Sequence, residues 1–220
     1  MNAARALSGD VEHICTALKS LPASWDGKEA ILKLKELDYQ WRQMEWIGWY
    51  FEVLCLEQLK RHAFEIPGKQ YGNVAFDCFK TVNWDIKASA IKSHSHKAIL
   101  NDIEATEQSI RENGAHGLIL ALVDVEYNDD NRSFQEWHTA LKGGLSSYEK
   151  KRIERNAVSR YRKRKADLKQ ILILAINDAN KDGLEIYAQG RNADGSPRNP
   201  KYMLDVEKAD EFEVGGRIYY

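Results

Sequence analysis

The chain is poor in cysteine, nearly neutral in charge and without long apolar runs. Its three cysteines, Cys15, Cys55 and Cys78, are an odd number and form no Cys-x-x-Cys pair. This argues against a disulfide framework or a zinc site and favours reduced thiols in a cytoplasmic protein. The formal net charge of −1 argues against a uniformly basic nucleic-acid binder but allows local basic patches. No segment has the length of a membrane span, and the N-terminus shows no signal-peptide pattern. We therefore expect no membrane partner.

Several common functional motifs are also missing. The sequence has no glycine-rich phosphate loop, no dinucleotide fingerprint and no Ser-His-Asp arrangement. The two histidines of "KSHSHK", His94 and His96, are too few for a zinc site without further ligands at workable spacing. The chemistry must therefore be sought in other side chains.

The apolar pattern predicts an α/β fold with a mixed central β-sheet flanked by helices. Asp26 is a candidate N-cap for the second helix, and Pro67-Gly68 breaks the chain after it. We expect one domain over residues 1–220, with an α/β core at 28–177 and a C-terminal extension at 178–220. The predicted helices are 11–21, 28–62, 97–113, 134–141 and 146–168, and the predicted strands are 73–79, 83–89, 117–127, 170–177, 184–188 and 202–206.

The segment "VNWDIKAS" places an acid and a lysine two residues apart in a predicted strand. Because strand side chains alternate between faces, Asp85 and Lys87 point to one face and Trp84 and Ile86 to the other. Asp77 precedes Asp85 by eight residues, so a hairpin would bring the two carboxylates together. Ionised carboxylates that share a site repel each other, and a divalent cation such as Mg²⁺ relieves that repulsion. Lys87 adds a positive charge that suits an anionic transition state.

This set resembles the PD-(D/E)xK nuclease superfamily, which includes many type II restriction endonucleases. The matching residues are Asp77 and the Asp85-Ile86-Lys87 element, although Phe76 stands where the family pattern has proline. The resemblance extends to the order of elements from residue 28 to 177: helix, hairpin, helix, strand, helix, strand. It implies a restriction-endonuclease-like core and a Mg²⁺-dependent hydrolase of double-stranded DNA that leaves 5′-phosphate ends.

The resemblance also assigns roles to individual residues. Asp77 and Asp85 would hold Mg²⁺, with the Ile86 backbone carbonyl as a further ligand, and Lys87 would position or activate water. The family often adds an acid from the preceding helix, here Glu52, with Glu45 as the alternative. Enzymes of this type commonly act as homodimers on palindromic sites. A repair, recombination or phage-type nuclease of the same fold, or a DNA-binding module without catalysis, remains as an alternative.

A basic segment near the C-terminal half is the candidate DNA-binding surface. Residues 150–169, predicted as a helix, hold ten Lys or Arg against two acids, an excess typical of a phosphate-binding face. A solvated helix is the alternative explanation. The polar loop 190–201 is a second candidate, because loops often carry recognition side chains. The predicted DNA-binding residues are Arg155, Ser159, Arg160, Arg162, Lys163, Arg191, Asn192, Arg198 and Asn199.

Overall fold

A computed structural model describes residues 3–67, 76–127, 131–191 and 195–220. Across these ranges no helix combines the length and the hydropathy that crossing a membrane requires. The helices are α1 (Ala3–Leu18), α2 (Gly27–Glu36), α3 (Trp46–Leu59), α4 (Ile103–Asn113), α5 (Ser133–Leu141) and α6 (Ser147–Glu154). The strands are β1 (Ser24–Asp26), β2 (Cys78–Phe79), β3 (Asn83–Ala90), β4 (Lys97–Asp102), β5 (His116–Glu126), β6 (Lys165–Ile176), β7 (Glu185–Tyr187), β8 (Lys201–Asp205) and β9 (Glu213–Tyr219).

The predicted mixed sheet with flanking helices is confirmed. Five strands run in the order β1-β6-β5-β3-β2, and β9 also pairs with β6. Strand β3 lies parallel to β5, while β5 and β6 are antiparallel. Strands β4, β8 and β7 form a second, three-stranded sheet. The C-terminal residues are thus shared between both sheets, because β8 pairs with β4 and β9 pairs with β6.

The central sheet buries apolar side chains on both faces, as its strand sequences predict. On one face Ile119 packs in a core with α1, α2 and α3. On the other face Leu118 and Leu120 pack in a separate core with residues of β4, β8 and α4. Asp85 and Lys87 of β3 lie opposite Leu118 and Leu120 in the parallel register. Both therefore belong to this second face, and Trp84 and Ile86 belong to the first.

The prediction of one long helix over 28–62 is wrong. Asp26 caps α2 as expected, since its carboxylate accepts hydrogen bonds from the backbone N–H groups of Lys28 and Glu29. The helix then ends, and the backbone turns through Asp38 and Gln40, which have φ angles of 49° and 45°. Apolar spacing continued across this turn, so periodicity alone could not detect it.

Two other predicted helices begin or end differently. Residues 97–102 form strand β4, and only Ile103–Asn113 is helical, ending at Gly114 with a φ of 80° as expected. The charged helix over 146–168 is wrong beyond Glu154, because Asn156 has a φ of 52° and the chain is then extended into β6. Strand β6 starts at Lys165 and alternates buried Ala166 and Leu168 with more exposed residues. In the sequence this short alternation of apolar and polar residues is hard to detect, because charged residues surround it.

Candidate active site

The predicted hairpin forms and carries the first carboxylate. Cys78 and Phe79 of β2 pair with Trp84 and Asn83 of β3. Just before β2, the Asp77 carboxylate accepts a hydrogen bond of 2.7 Å from the Ile86 backbone N–H. Because the N–H and C=O of one strand residue point to the same side, the Ile86 carbonyl lies on the Asp77 side of β3. This orientation suits its predicted use as a metal ligand.

Asp77, Asp85 and Lys87 come together at this hairpin. The Lys87 ammonium lies 3.8 Å from an oxygen of Asp77 and 3.9 Å from an oxygen of Asp85. Both distances exceed those of hydrogen bonds, so the two carboxylates keep lone pairs for another partner. Asp85 is buried, whereas 29% of the Lys87 side chain is exposed. The lysine can therefore reach both the acids and solvent.

Glu52 completes the cluster from helix α3. It is a buried acid whose carboxylate accepts a hydrogen bond from the Tyr39 hydroxyl. Burial, and then the charge of Asp77, raise the pKa of Glu52 to about 7. The alternative, Glu45, lies at the start of α3, has an exposed carboxylate and forms an ion pair of 2.5 Å with Lys163. Both acids line one cleft, but Glu52 is the one that interacts electrostatically with the hairpin carboxylates.

The other three ionisable groups of the cluster, Asp77, Asp85 and Lys87, differ in the direction and cause of their pKa shifts. Burial, and then the charge of Asp85, raise the pKa of Asp77 to about 6, although Lys87 opposes the shift. Burial also acts on Asp85, but Lys87 and a hydrogen bond with His116 outweigh it and lower the pKa of Asp85. The pKa of Lys87 is raised, because the charges of Asp85 and Asp77 exceed the effect of its burial. Three acids thus share one lysine, and the excess negative charge favours binding of a cation.

The residues fit Mg²⁺ by their donor chemistry. Carboxylate and carbonyl oxygens are its preferred protein ligands, and Asp77, Asp85, Glu52 and the Ile86 carbonyl supply them. Within the described ranges no three His, Cys, Asp or Glu side chains already have the arrangement of a metal site. The oxygen donors thus lie near one another but do not form a ready-made metal site.

Sequence reasoning missed His116, the first residue of β5. Its Nε2 lies 2.8 Å from an oxygen of Asp85, and both side chains are buried. The contact involves the oxygen Oδ2, while Lys87 faces Oδ1. His116 thus holds the carboxylate in one orientation. The only signal in the sequence was a polar residue at the start of a strongly apolar strand.

A second missed residue, Asp10 of α1, supports the hairpin from behind. Its buried carboxylate accepts hydrogen bonds from the Thr81 backbone N–H at 3.1 Å and from the Trp84 indole at 3.0 Å. Trp84 in turn lies over Gly117, where a Cβ would come within 2.3 Å of the indole ring. These contacts fix Trp84 and, through the backbone, the adjacent Asp85.

The predicted DNA-binding residues are spread over different environments. Arg155, Arg160, Arg198 and Asn199 are exposed, and Ser159 is half-buried. Arg162 is instead buried and lies 3.7 Å from Glu149, while Lys163 lines the candidate active-site cleft. Arg191 donates a hydrogen bond of 2.7 Å to the Gly195 carbonyl within its own loop. Asn192 lies outside the described residues.

Comparison of the chain with protein-family models, curated proteins and solved structures finds no match.

Proposed function

We propose that this chain is a Mg²⁺-dependent DNA endonuclease that uses the Asp77–Asp85–Lys87 cluster. The observation that carries the proposal is the meeting of these three side chains with the buried Glu52, where Lys87 and Glu52 also line the candidate active-site cleft. Three acids around one lysine are costly in the absence of a cation, since each ionised acid raises the energy of ionising the others. Such clusters of perturbed groups are typical of functional sites.

The order of elements supports the same proposal. Helix α3 is followed by the β2–β3 hairpin, helix α4 and strand β5, and then by α5, α6 and β6. The nuclease resemblance implied this order, and strand β4 between the hairpin and α4 is the main addition. The resemblance assigns one acid to the helix before the hairpin and two to the hairpin, and the candidates are Glu52 on α3, Asp77 just before β2 and Asp85 on β3.

In the proposed hydrolysis Lys87 and His116 have different roles. Lys87 holds a water molecule beside the phosphate and stabilises negative charge that develops in the transition state. The water oxygen forms a bond to phosphorus as the bond from phosphorus to the 3′ oxygen breaks. The proton lost by the water passes to solvent, and the leaving oxygen gains one, which yields 5′-phosphate and 3′-hydroxyl ends. His116 keeps Asp85 turned toward the reacting centre.

A bound Mg²⁺ supplies Lewis-acid stabilisation of the phosphate oxygens. Asp77, Asp85 and the Ile86 carbonyl would hold it, and Glu52 would support a second ion or its waters. The pKa values of Glu52 and Asp77 are raised to about 7 and about 6. Once all three acids are ionised they outnumber Lys87, and a bound cation would offset the repulsion between this cluster and a phosphate.

We further propose the type II restriction enzyme as the specific form of this activity. This form implies cleavage at a short sequence and a homodimer on a palindromic site. Incubation with a mixed-sequence plasmid and Mg²⁺ tests it, with EDTA and an Asp85→Asn variant as controls. Discrete fragments support a restriction enzyme, and a smear supports a nuclease without sequence specificity. Intact DNA in the presence of Mg²⁺ would refute the nuclease proposal and leave a DNA-binding module.

A further inference from the structure

A second cleft, with a volume of about 730 Å³, lies beside the candidate active site. It is bounded by the turn at Gly143–Gly144, helix α6 and the extended segment 157–162. Five basic side chains and one acid line it, a strong local excess of positive charge in a chain of net charge −1. These side chains are Arg42, Lys142, Arg152, Arg160 and Arg162, together with Glu149.

Arg162 at the wall of this cleft has an unused hydrogen-bond donor. Its residue is only 8% exposed, and its Nη1 has no hydrogen-bond partner among the residues that the structure describes. Its Nη2 lies 3.7 Å from the Glu149 carboxylate, which is beyond hydrogen-bond distance. A buried guanidinium with an unpaired N–H is costly. Because Nη1 is shielded from solvent, a ligand in the cleft would act on Arg162 through its charge.

Glu149 supplies one negative charge against the five basic side chains of the cleft, and it lies 3.8 Å from Lys142 and 3.7 Å from Arg162. Its carboxylate already accepts hydrogen bonds from the Ser146 hydroxyl at 2.8 Å and from the Ser146 backbone N–H at 3.1 Å, and so caps helix α6. Burial, and then the charges of Arg152 and Arg132, lower the pKa of Arg162 against the opposing effect of Glu149. The positive charge of the cleft is therefore incompletely compensated, and an anion would stabilise it.

The cleft is continuous with the candidate active site. It shares Met44, Arg160 and Arg162 with a smaller neighbouring depression, which in turn shares Glu45 and Lys163 with the active-site cleft. An elongated anion could thus contact the basic cleft and the catalytic cluster at the same time. A single small anion would occupy only one of the three depressions.

We propose that this basic cleft binds the phosphate backbone of DNA and leads the strand to the candidate active site. The choice of DNA as the anion rests on the proposed function. Gly143 and Gly144 have φ angles of 87° and 116°, so both positions favour glycine, and the cleft wall has no side chain there. A phosphate chain can therefore approach this wall closely.

Fluorescence anisotropy with a short labelled duplex, measured in EDTA, tests the proposal without cleavage. We expect an Arg152→Gln/Arg160→Gln variant to weaken binding about tenfold and to reduce the slope of log affinity against log salt by roughly 0.9 for each lost contact. The matched control is Lys150→Gln/Lys151→Gln, which removes the same charge from exposed positions of α6 that do not line the cleft. We expect the control to bind as the wild type does.

Two results would overturn the proposal. Equal losses in the two double variants would mean that general charge, and not this cleft, binds the DNA. Binding of inorganic pyrophosphate as tightly as the duplex, with the same dependence on Arg152 and Arg160, would assign the cleft to a free phosphate compound. Because the assay contains no Mg²⁺, binding through the cleft by a protein that fails to cut plasmid would refute only the proposed nuclease activity.

Discussion

Replacing Glu52 by glutamine should stabilise the metal-free protein at alkaline pH. The ordinary pKa of this carboxyl is 4.5, and in the folded chain it is about 7. Between these values the unfolded chain ionises Glu52 while the folded chain keeps it protonated. The wild type therefore loses stability as pH rises through this window. Glutamine cannot ionise, and its amide oxygen can still accept the hydrogen bond from Tyr39.

The size of the effect follows from the pKa difference. At about 1.4 kcal/mol for each pKa unit, the loss of unfolding free energy above pH 7 is at most about 3.5 kcal/mol. Relaxation and water penetration reduce it, so we expect Glu52→Gln to gain about 1–3 kcal/mol at pH 8.5 and almost nothing at pH 4.5. For a chain of this size each kcal/mol raises the melting temperature by about 2–4 °C.

Thermal unfolding in EDTA at both pH values measures the difference. Glu45→Gln is the matched control, because it removes an exposed carboxylate at the start of the same helix and leaves the buried cluster intact. Mg²⁺ should reduce the difference in melting temperature between Glu52→Gln and the wild type at pH 8.5, because it binds the folded wild type. An equal or lower melting temperature for Glu52→Gln at pH 8.5 would refute the electrostatic argument, and an absence of any Mg²⁺ effect on the wild type would refute the metal site.

Three further changes test the cluster and its supports. Lys87→Met should lower the cleavage rate at least a hundredfold, about 3 kcal/mol, with DNA affinity retained; cleavage near the wild-type rate would remove Lys87 from the mechanism. His116→Ala should slow cleavage about tenfold and weaken the Mg²⁺-induced rise in melting temperature. His116→Gln, which keeps an N–H donor for Asp85, should recover part of the cleavage rate and part of the Mg²⁺-induced rise in melting temperature. Equal behaviour of the two variants would contradict a positioning role. Gly117→Ala should destabilise the fold by about 1–3 kcal/mol, because its Cβ overlaps Trp84; an unchanged melting temperature would contradict this packing.

The hairpin could be predicted because its determinants are local. Asp77 and Asp85 are eight residues apart, and the alternation around Asp85 and Lys87 required no knowledge of distant contacts. The same reasoning failed for residues 28–62, where Asp38 and Gln40 reverse the chain by adopting left-handed backbone angles. Neither residue type demands that conformation, so the break follows from tertiary packing.

The supports of the site could not be predicted, because they depend on strand register and on distant helices. His116 reaches Asp85 across 31 residues, and Asp10 reaches Trp84 across 74. A parallel pairing of β3 with β5 sets the first contact, and the docking of α1 sets the second. A buried polar side chain needs a hydrogen-bond partner, and the neighbouring sequence does not identify that partner.

The basic segment shows how a correct count of charges can mislead about structure. Its ten basic residues indicated one helical face, yet the chain leaves the helix after Glu154 and carries Arg162 into a buried position beside Glu149. Lys163 pairs with Glu45 across 118 residues. Part of the excess positive charge of the segment is therefore neutralised by ion pairs within the fold. Arg152 and Arg160 remain at the cleft, and their loss is therefore a stronger test of DNA binding than the loss of any two charges from the run.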